Sequence, residues 1–145
     1  MRVGLGTDGY ITDMFEVMRA AFLIHKGYLQ DASVMPAETV LEMATIGGAQ
    51  ALGLADQIGS LEVGKKADLI ILDPKLPTPL TIENAAAQLV TFGKANFVQH
   101  VIVDGVQIAD NGKVTTTDEE VARLRSQNMA ESLWNQLPKE APRRA

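Results

Sequence analysis

Residues Gly4 to Gly9 read Gly-Leu-Gly-Thr-Asp-Gly, a glycine-rich turn that closes a short apolar stretch and stands just ahead of a helical pattern. A turn of this kind between a strand and a helix points to an α/β chain. In α/β barrels the working groups sit on loops leaving the carboxyl ends of strands, which makes Asp8, after Val3 and Leu5, the first candidate for a metal-bound or proton-handling carboxylate. The same residues also fit a Gly-x-Gly-x-x-Gly phosphate loop. That reading needs a following strand with an acidic residue at its end and backbone N–H groups facing pyrophosphate. Here the loop carries a negative charge that repels phosphate, and the helix is followed by Gln30-Asp31-Ala32-Ser33-Val34-Met35-Pro36, which is no buried strand. The pattern therefore reads against a dinucleotide.

The stretch Arg2–Gly6 is predicted as a strand with no visible partner nearby, and an unpaired edge invites pairing with another chain. Thr12-Asp13 caps a predicted helix from Met14 to Leu29. Phe15, Met18, Phe22 and Leu29 form its central stripe, flanked by Met14, Val17, Ala21, Ile24 and Tyr28, and a stripe this wide predicts burial against a sheet. Pro36 and Glu38 announce a second helix through Val40, Leu41 and Met43, ending among Gly47, Gly48, Ala49, Ala51 and Gly53. Leu69–Leu72 reads as a strand stopped by Asp73-Pro74, and Ile82–Phe92 returns to helical spacing. Val98–Val103 and Val106–Ala109 flank Asp104-Gly105, the pair favoured in a two-residue hairpin turn with both φ positive. A second turn at Asn111-Gly112 leads into Lys113-Val114. Thr117-Asp118-Glu119-Glu120 has capping-box order and opens a terminal helix carrying Val121, Leu124, Leu133 and Leu137.

A chain of 145 residues is long enough for one ordinary domain, burying roughly 68–70% of its unfolded surface. Its net charge of −5 argues against nucleic acid, which requires a clustered basic face, and Pro142-Arg143-Arg144 is too short to supply one. No apolar run reaches the roughly 20 residues needed to span a bilayer, and the start lacks the apolar core of a signal peptide. With no cysteine there is no disulfide framework, thiolate nucleophile or zinc–thiolate site. A reducing cytoplasm is the simplest home.

Three stretches carry a resemblance to a known family: Val3 to Gly9; Ala44-Thr45-Ile46-Gly47-Gly48-Ala49-Gln50-Ala51-Leu52-Gly53-Leu54; and Ile58 to Asp73, with its turn, paired lysines and Ala-Asp entering a buried strand. Together they resemble the carboxyl-terminal third of the metal-dependent amidohydrolase superfamily. The chlorohydrolase and cytosine-deaminase-like branch is nearest, including guanine deaminases and, through Thr12-Asp13-Met14-Phe15-Glu16, aminohydrolases linked to selenium metabolism. The resemblance implies an α/β fold: the last part of a (β/α)₈ barrel plus strands of a small composite β-sandwich. It places the last barrel strand and its helices in residues 1–57, sandwich strands in 58–116, and a terminal helix and tail in 117–145.

The resemblance also implies that Asp8 is both metal ligand and catalytic carboxylate in a zinc or iron hydrolase of carbon–nitrogen bonds, a deaminase or aminohydrolase of a nitrogen heterocycle. The family's remaining ligands are histidines, a His-x-His pair among them, and this chain has only His25, in a predicted helix, and His100, in a predicted strand. Catalytic zinc takes about three protein ligands. The chain alone is therefore expected to bind no metal and to be inactive, its implied partner being the missing amino-terminal barrel segment or another copy of itself. The alternative is a non-catalytic remnant serving as an interaction or assembly domain. His25 reads as a packed or rim residue, His100 as sheet surface, Asp13 and Glu16 as cap and solvated face, Lys65 and Lys66 as a solvated turn, and Met14, Met18, Met35 and Met43 as core filling.

Overall fold

Helix α1 (Met14–Leu29) starts where Asp13 accepts the Phe15 N–H at 2.8 Å, and it ends at Gln30 in the left-handed region with φ of 51°. The computed structural model describes residues 3–9 and 11–137. They fall into two compact units, Met1–Lys113 and Val114–Ala145.

In the first unit, α1 is followed by α2 (Ala37–Ala44), α3 (Ile46–Leu52), strand β1 (Leu69–Leu72), α4 (Ala85–Phe92), a 3₁₀ turn at Ala95–Phe97, and strands β2 (Val98–Val103) and β3 (Val106–Asp110). The short β4 (Lys113–Val114) completes a four-stranded sheet in the order β1-β2-β3-β4. The pairings β1–β2 and β2–β3 are antiparallel, with register shifts after Ile71 and Val101. The hairpin forms as its sequence predicts: Asp104 and Gly105 both have positive φ, 51° and 80°. Such a turn matches the twist of the strands it joins.

The core of this unit is Phe15, Met18, Ala37, Val40 and Val90, with Leu5, Phe22, Leu72 and Val98 packed around it. Helix α1 buries its stripe chiefly against α2 and α4, with Leu72 of β1 and Val98 of β2 at the edge of the same core. Only the first half of the predicted stripe is covered; Ile24, Tyr28 and Leu29 are exposed because no element of the unit reaches them. Met18 is buried, and Met14, Met35 and Met43 are half-buried.

Two expectations about segments change. Of the predicted Arg2–Gly6 strand, Arg2 lies outside the described residues, and Val3–Thr7 forms no ladder. Among the described residues its one backbone bond across the fold runs from Leu5 N–H to the Met43 carbonyl, 3.2 Å. The single predicted second helix breaks in two at Thr45, with φ of −124° and ψ of −104°, where the Thr45 hydroxyl donates to the Leu41 carbonyl at 2.7 Å. The small residues there do permit close approach: a Cβ on Gly4 would stand 2.7 Å from Gly48 Cα, and one on Gly59 2.7 Å from Ala49 Cβ.

The second unit holds α5 (Glu119–Gln136). The predicted capping box is displaced by one residue. Asp118, not Thr117, is the N-cap and accepts the Val121 N–H at 3.0 Å. Glu120 pairs with Arg123 instead of reaching back, and Glu119 takes the Val114 N–H at 2.9 Å. An aspartate at the cap is the better acceptor there, since its charge also faces the positive helix end.

Candidate functional site around Asp8

Asp8 ends the extended stretch that leans on α2 and precedes the cap of α1. Its φ is 52°, a left-handed conformation that aspartate tolerates because its short carboxylate can bond locally. That bond is present: Gly9 N–H donates to Asp8 Oδ1 at 2.6 Å, and the side chain is exposed. By geometry this is an Asp-Gly turn presenting a carboxylate to solvent, ahead of the α1 cap in the sequence.

The fold does not gather further metal ligands around it. Among the described residues no group of three or more His, Cys, Asp or Glu could hold a metal ion. His25 is an exposed residue of α1 beside a cavity of about 540 Å³ that Glu42 and Gln50 also line. It is a rim residue, not a packed one. His100 lies on β2, with Nδ1 2.9 Å from Asp110 Oδ1 and 3.1 Å from Gln107 Nε2. Because catalytic zinc takes about three protein ligands, one exposed carboxylate does not make a metal site, and the described residues do not fit a metal by themselves.

Of the flanking acids, Asp13 has a structural role. Asp13 Oδ1 caps α1 while its Oδ2 accepts the Ala95 N–H at 3.1 Å, tying α1 to the turn before β2. Glu16 is exposed. Lys65 pairs with Glu62 at 3.1 Å and Lys66 with Asp104 at 3.3 Å. The Ser60 hydroxyl, followed by Lys65, holds the Glu62 carboxyl below its ordinary range. Sequence reasoning missed two cavities. One, of about 610 Å³, lies between α3 and the faces of β1 and β2, with Leu52, Leu61, Ile70 and Val101 among its walls. The other, of about 350 Å³, is edged by Arg19, Lys75 and Lys94. Those residues are far apart in sequence and form no motif.

Comparison with known proteins fixes the ancestry. The profile of the amidohydrolase family matches residues 1–115. The chain belongs to the amidohydrolase family. As a family member it is 44% identical over 138 residues to a 5-methylthioadenosine/S-adenosylhomocysteine deaminase of Desulforudis audaxviator, an alignment covering 92% of this chain and 32% of that protein. Among solved structures it is similar to a zinc-bound adenosine deaminase from Xanthomonas campestris, with a TM-score of 0.78 and 30% identity over 84% of this chain and 28% of that one. It is also similar to the E. coli guanine deaminase, with a TM-score of 0.67 and 25% identity over 77% of this chain and 28% of that one. The chain thus spans about a third of the length of the curated relatives it matches. Its mixed helix-and-strand fold is shared with the matched portions of these deaminases. Among the described residues no helix is long and apolar enough to cross a membrane.

Proposed function

We propose that this amidohydrolase chain is the carboxyl-terminal portion of a metal-dependent, cytoplasmic hydrolase that deaminates a nitrogen heterocycle. In this reading residues 1–57 supply the last strand and helices of a (β/α)₈ barrel, 58–116 supply sandwich strands, and 117–145 form the terminal helix and tail. The observation that carries it is the 44% identity to a deaminase over nearly the whole chain. The names of the relatives point to the purine of 5-methylthioadenosine or S-adenosylhomocysteine as the heterocycle, with water replacing the ring amine and ammonia leaving.

Asp8 is this chain's contribution to the centre. Its exposed carboxylate stands on a turn just before a helix, free of any ion pair among the described residues, where it can face a site completed from outside. The partner is the amino-terminal barrel segment, which would bring the histidine ligands; the zinc bound to the Xanthomonas relative favours zinc over iron. The test is a chimera in which this chain replaces the matching third of the Desulforudis deaminase. Ammonia release from 5-methylthioadenosine by the chimera, and none by the chain alone, is the expected result. A folded, zinc-loaded chimera that leaves every adenine nucleoside intact would overturn the proposal.

A further inference from the structure

Six lysines and arginines form no salt bridge among the described residues: Arg19, Lys26, Lys75, Lys94, Lys113 and Arg125. Three of the six, Arg19, Lys75 and Lys94, line the single cavity of about 350 Å³ bounded by α1, the 75–78 segment and the end of α4. None of its lining residues is acidic. That is a marked concentration of positive charge in a chain whose net charge is −5.

A structural role accounts for only part of it. Arg19 Nε donates to the Thr91 carbonyl at 2.8 Å and Nη2 to the Gly93 carbonyl at 2.6 Å, so the guanidinium closes the carboxyl end of α4. A helix end carries about half a negative charge, which the Arg19 guanidinium alone offsets, so closing α4 gives no role to Lys75 or Lys94. Two of the five guanidinium N–H groups are used and three are left for a ligand. The two carbonyl bonds fix the plane in which those three lie. Asp13, near Lys94 in the fold through its bond to Ala95 N–H, already accepts two backbone N–H groups and does not line the cavity.

The remaining walls are of a different kind. Phe92, 57% exposed, Phe97, Leu76 and Pro77 offer flat apolar surface, and Gln88 adds an amide. The volume suits a small organic molecule. Cations and aromatic faces lining one cavity fit a planar ring that carries an anionic group.

We propose that this cavity binds a small organic anion with a planar ring, of the nucleoside monophosphate type, with its anionic group on Arg19, Lys75 and Lys94 and its ring against Phe92 and Phe97. None of these residues belongs to the Asp8 turn, so the site stands or falls apart from the deaminase reading. The probe is adenosine monophosphate, titrated into the full chain and followed by calorimetry and by amide shifts at Lys94 and Phe97. Saturable binding is expected, at least about tenfold tighter than that of adenosine or of inorganic phosphate. Because it depends on charge it should weaken as salt rises from about 0.01 to 0.15 M. The double variant Lys75→Glu, Lys94→Glu changes two exposed side chains that make no hydrogen bond, and it should lose at least about tenfold in affinity. No saturable binding, equal binding of adenosine, affinity indifferent to salt, or unchanged affinity in the double variant would each overturn the proposal.

Discussion

Glycine 93 and glycine 27 undergo the same substitution, to alanine, with opposite expected signs. At Gly93 the backbone, with φ of −56° and ψ of 147°, suits any residue, so conformational strain plays no part. The obstacle is space: an added Cβ would stand 2.2 Å from the Leu89 carbonyl oxygen and 2.3 Å from Phe15 Cδ1, where ordinary contact begins at 3.4 Å. More than an ångström of movement is therefore needed on two sides at once. One side is the carboxyl end of α4, held by Arg19. The other is the Phe15 ring, only 6% exposed and packed in the core with Met18, Val40 and Val90. Overpacking of this sort costs about 1–3 kcal/mol, and with two rigid neighbours the upper end applies. The loss of chain freedom in the unfolded state returns about 0.4–1 kcal/mol. The net expectation for Gly93→Ala is a loss of about 2 kcal/mol. Gly27 lies inside α1 with nothing within 4 Å of its would-be Cβ, so Gly27→Ala should gain about 0.8–1 kcal/mol from helix propensity. Both positions lie in the first unit, and urea unfolding followed by circular dichroism reads them on one transition. In thermal melts, at about 2–4 °C per kcal/mol for a chain of this size, the first variant should melt about 4–8 °C lower and the second about 2–4 °C higher. A Gly93→Ala protein as stable as the parent, or two shifts of the same sign, would refute the packing described for the junction of α1 and α4.

Asp13→Ala removes the acceptor for both Phe15 and Ala95 N–H groups and should cost about 1–2 kcal/mol in urea, whereas Asp13→Asn, which keeps one acceptor oxygen, should cost less. Asp8→Asn should leave stability within about 0.5 kcal/mol, because asparagine accepts both the left-handed conformation and the Gly9 bond; a large loss would show that Asp8 holds the fold. The Asp31 carboxyl is held below its ordinary range first by the Ser33 hydroxyl, 2.6 Å away, and then by the Ser33 N–H. Its folded value lies below the unfolded one, so this contribution to stability is present above the unfolded value and fades as pH falls through the folded value. Ser33→Ala should move the Asp31 titration upward in a carbon-detected NMR titration, and an unmoved midpoint would contradict that assignment.

What was legible in the sequence is what local chemistry decides. Helix α1 has the bounds its cap and stripe predict, β1 is Leu69–Leu72 as its apolar run and Asp73-Pro74 stop suggest, and the Asp104-Gly105 hairpin forms with both φ positive. What was not legible depends on neighbours distant along the chain. The exposed second half of α1 has a core pattern but nothing in its unit to cover it, which no periodicity discloses. The break at Thr45 coincides with the close approach of Gly4 to Gly48 and the Leu5 bond to Met43, contacts from a segment distant along the chain. The Arg19, Lys75 and Lys94 cavity assembles from three separate segments. Asp8 is an intermediate case. Its turn is readable from Asp-Gly, yet the same geometry suits a plain surface turn, and it is the family match over residues 1–115 that gives its carboxylate a proposed role.

Introducing Asp8→Asn into the Desulforudis chimera, and comparing ammonia release from 5-methylthioadenosine with the unsubstituted chimera at equal zinc loading, tests that role most directly. Removal of a proton-handling carboxylate is worth about 10²–10⁴ in rate, so the account predicts a loss of at least about a hundredfold with the fold intact. A chimera whose turnover is unchanged by the Asp8→Asn substitution would contradict it.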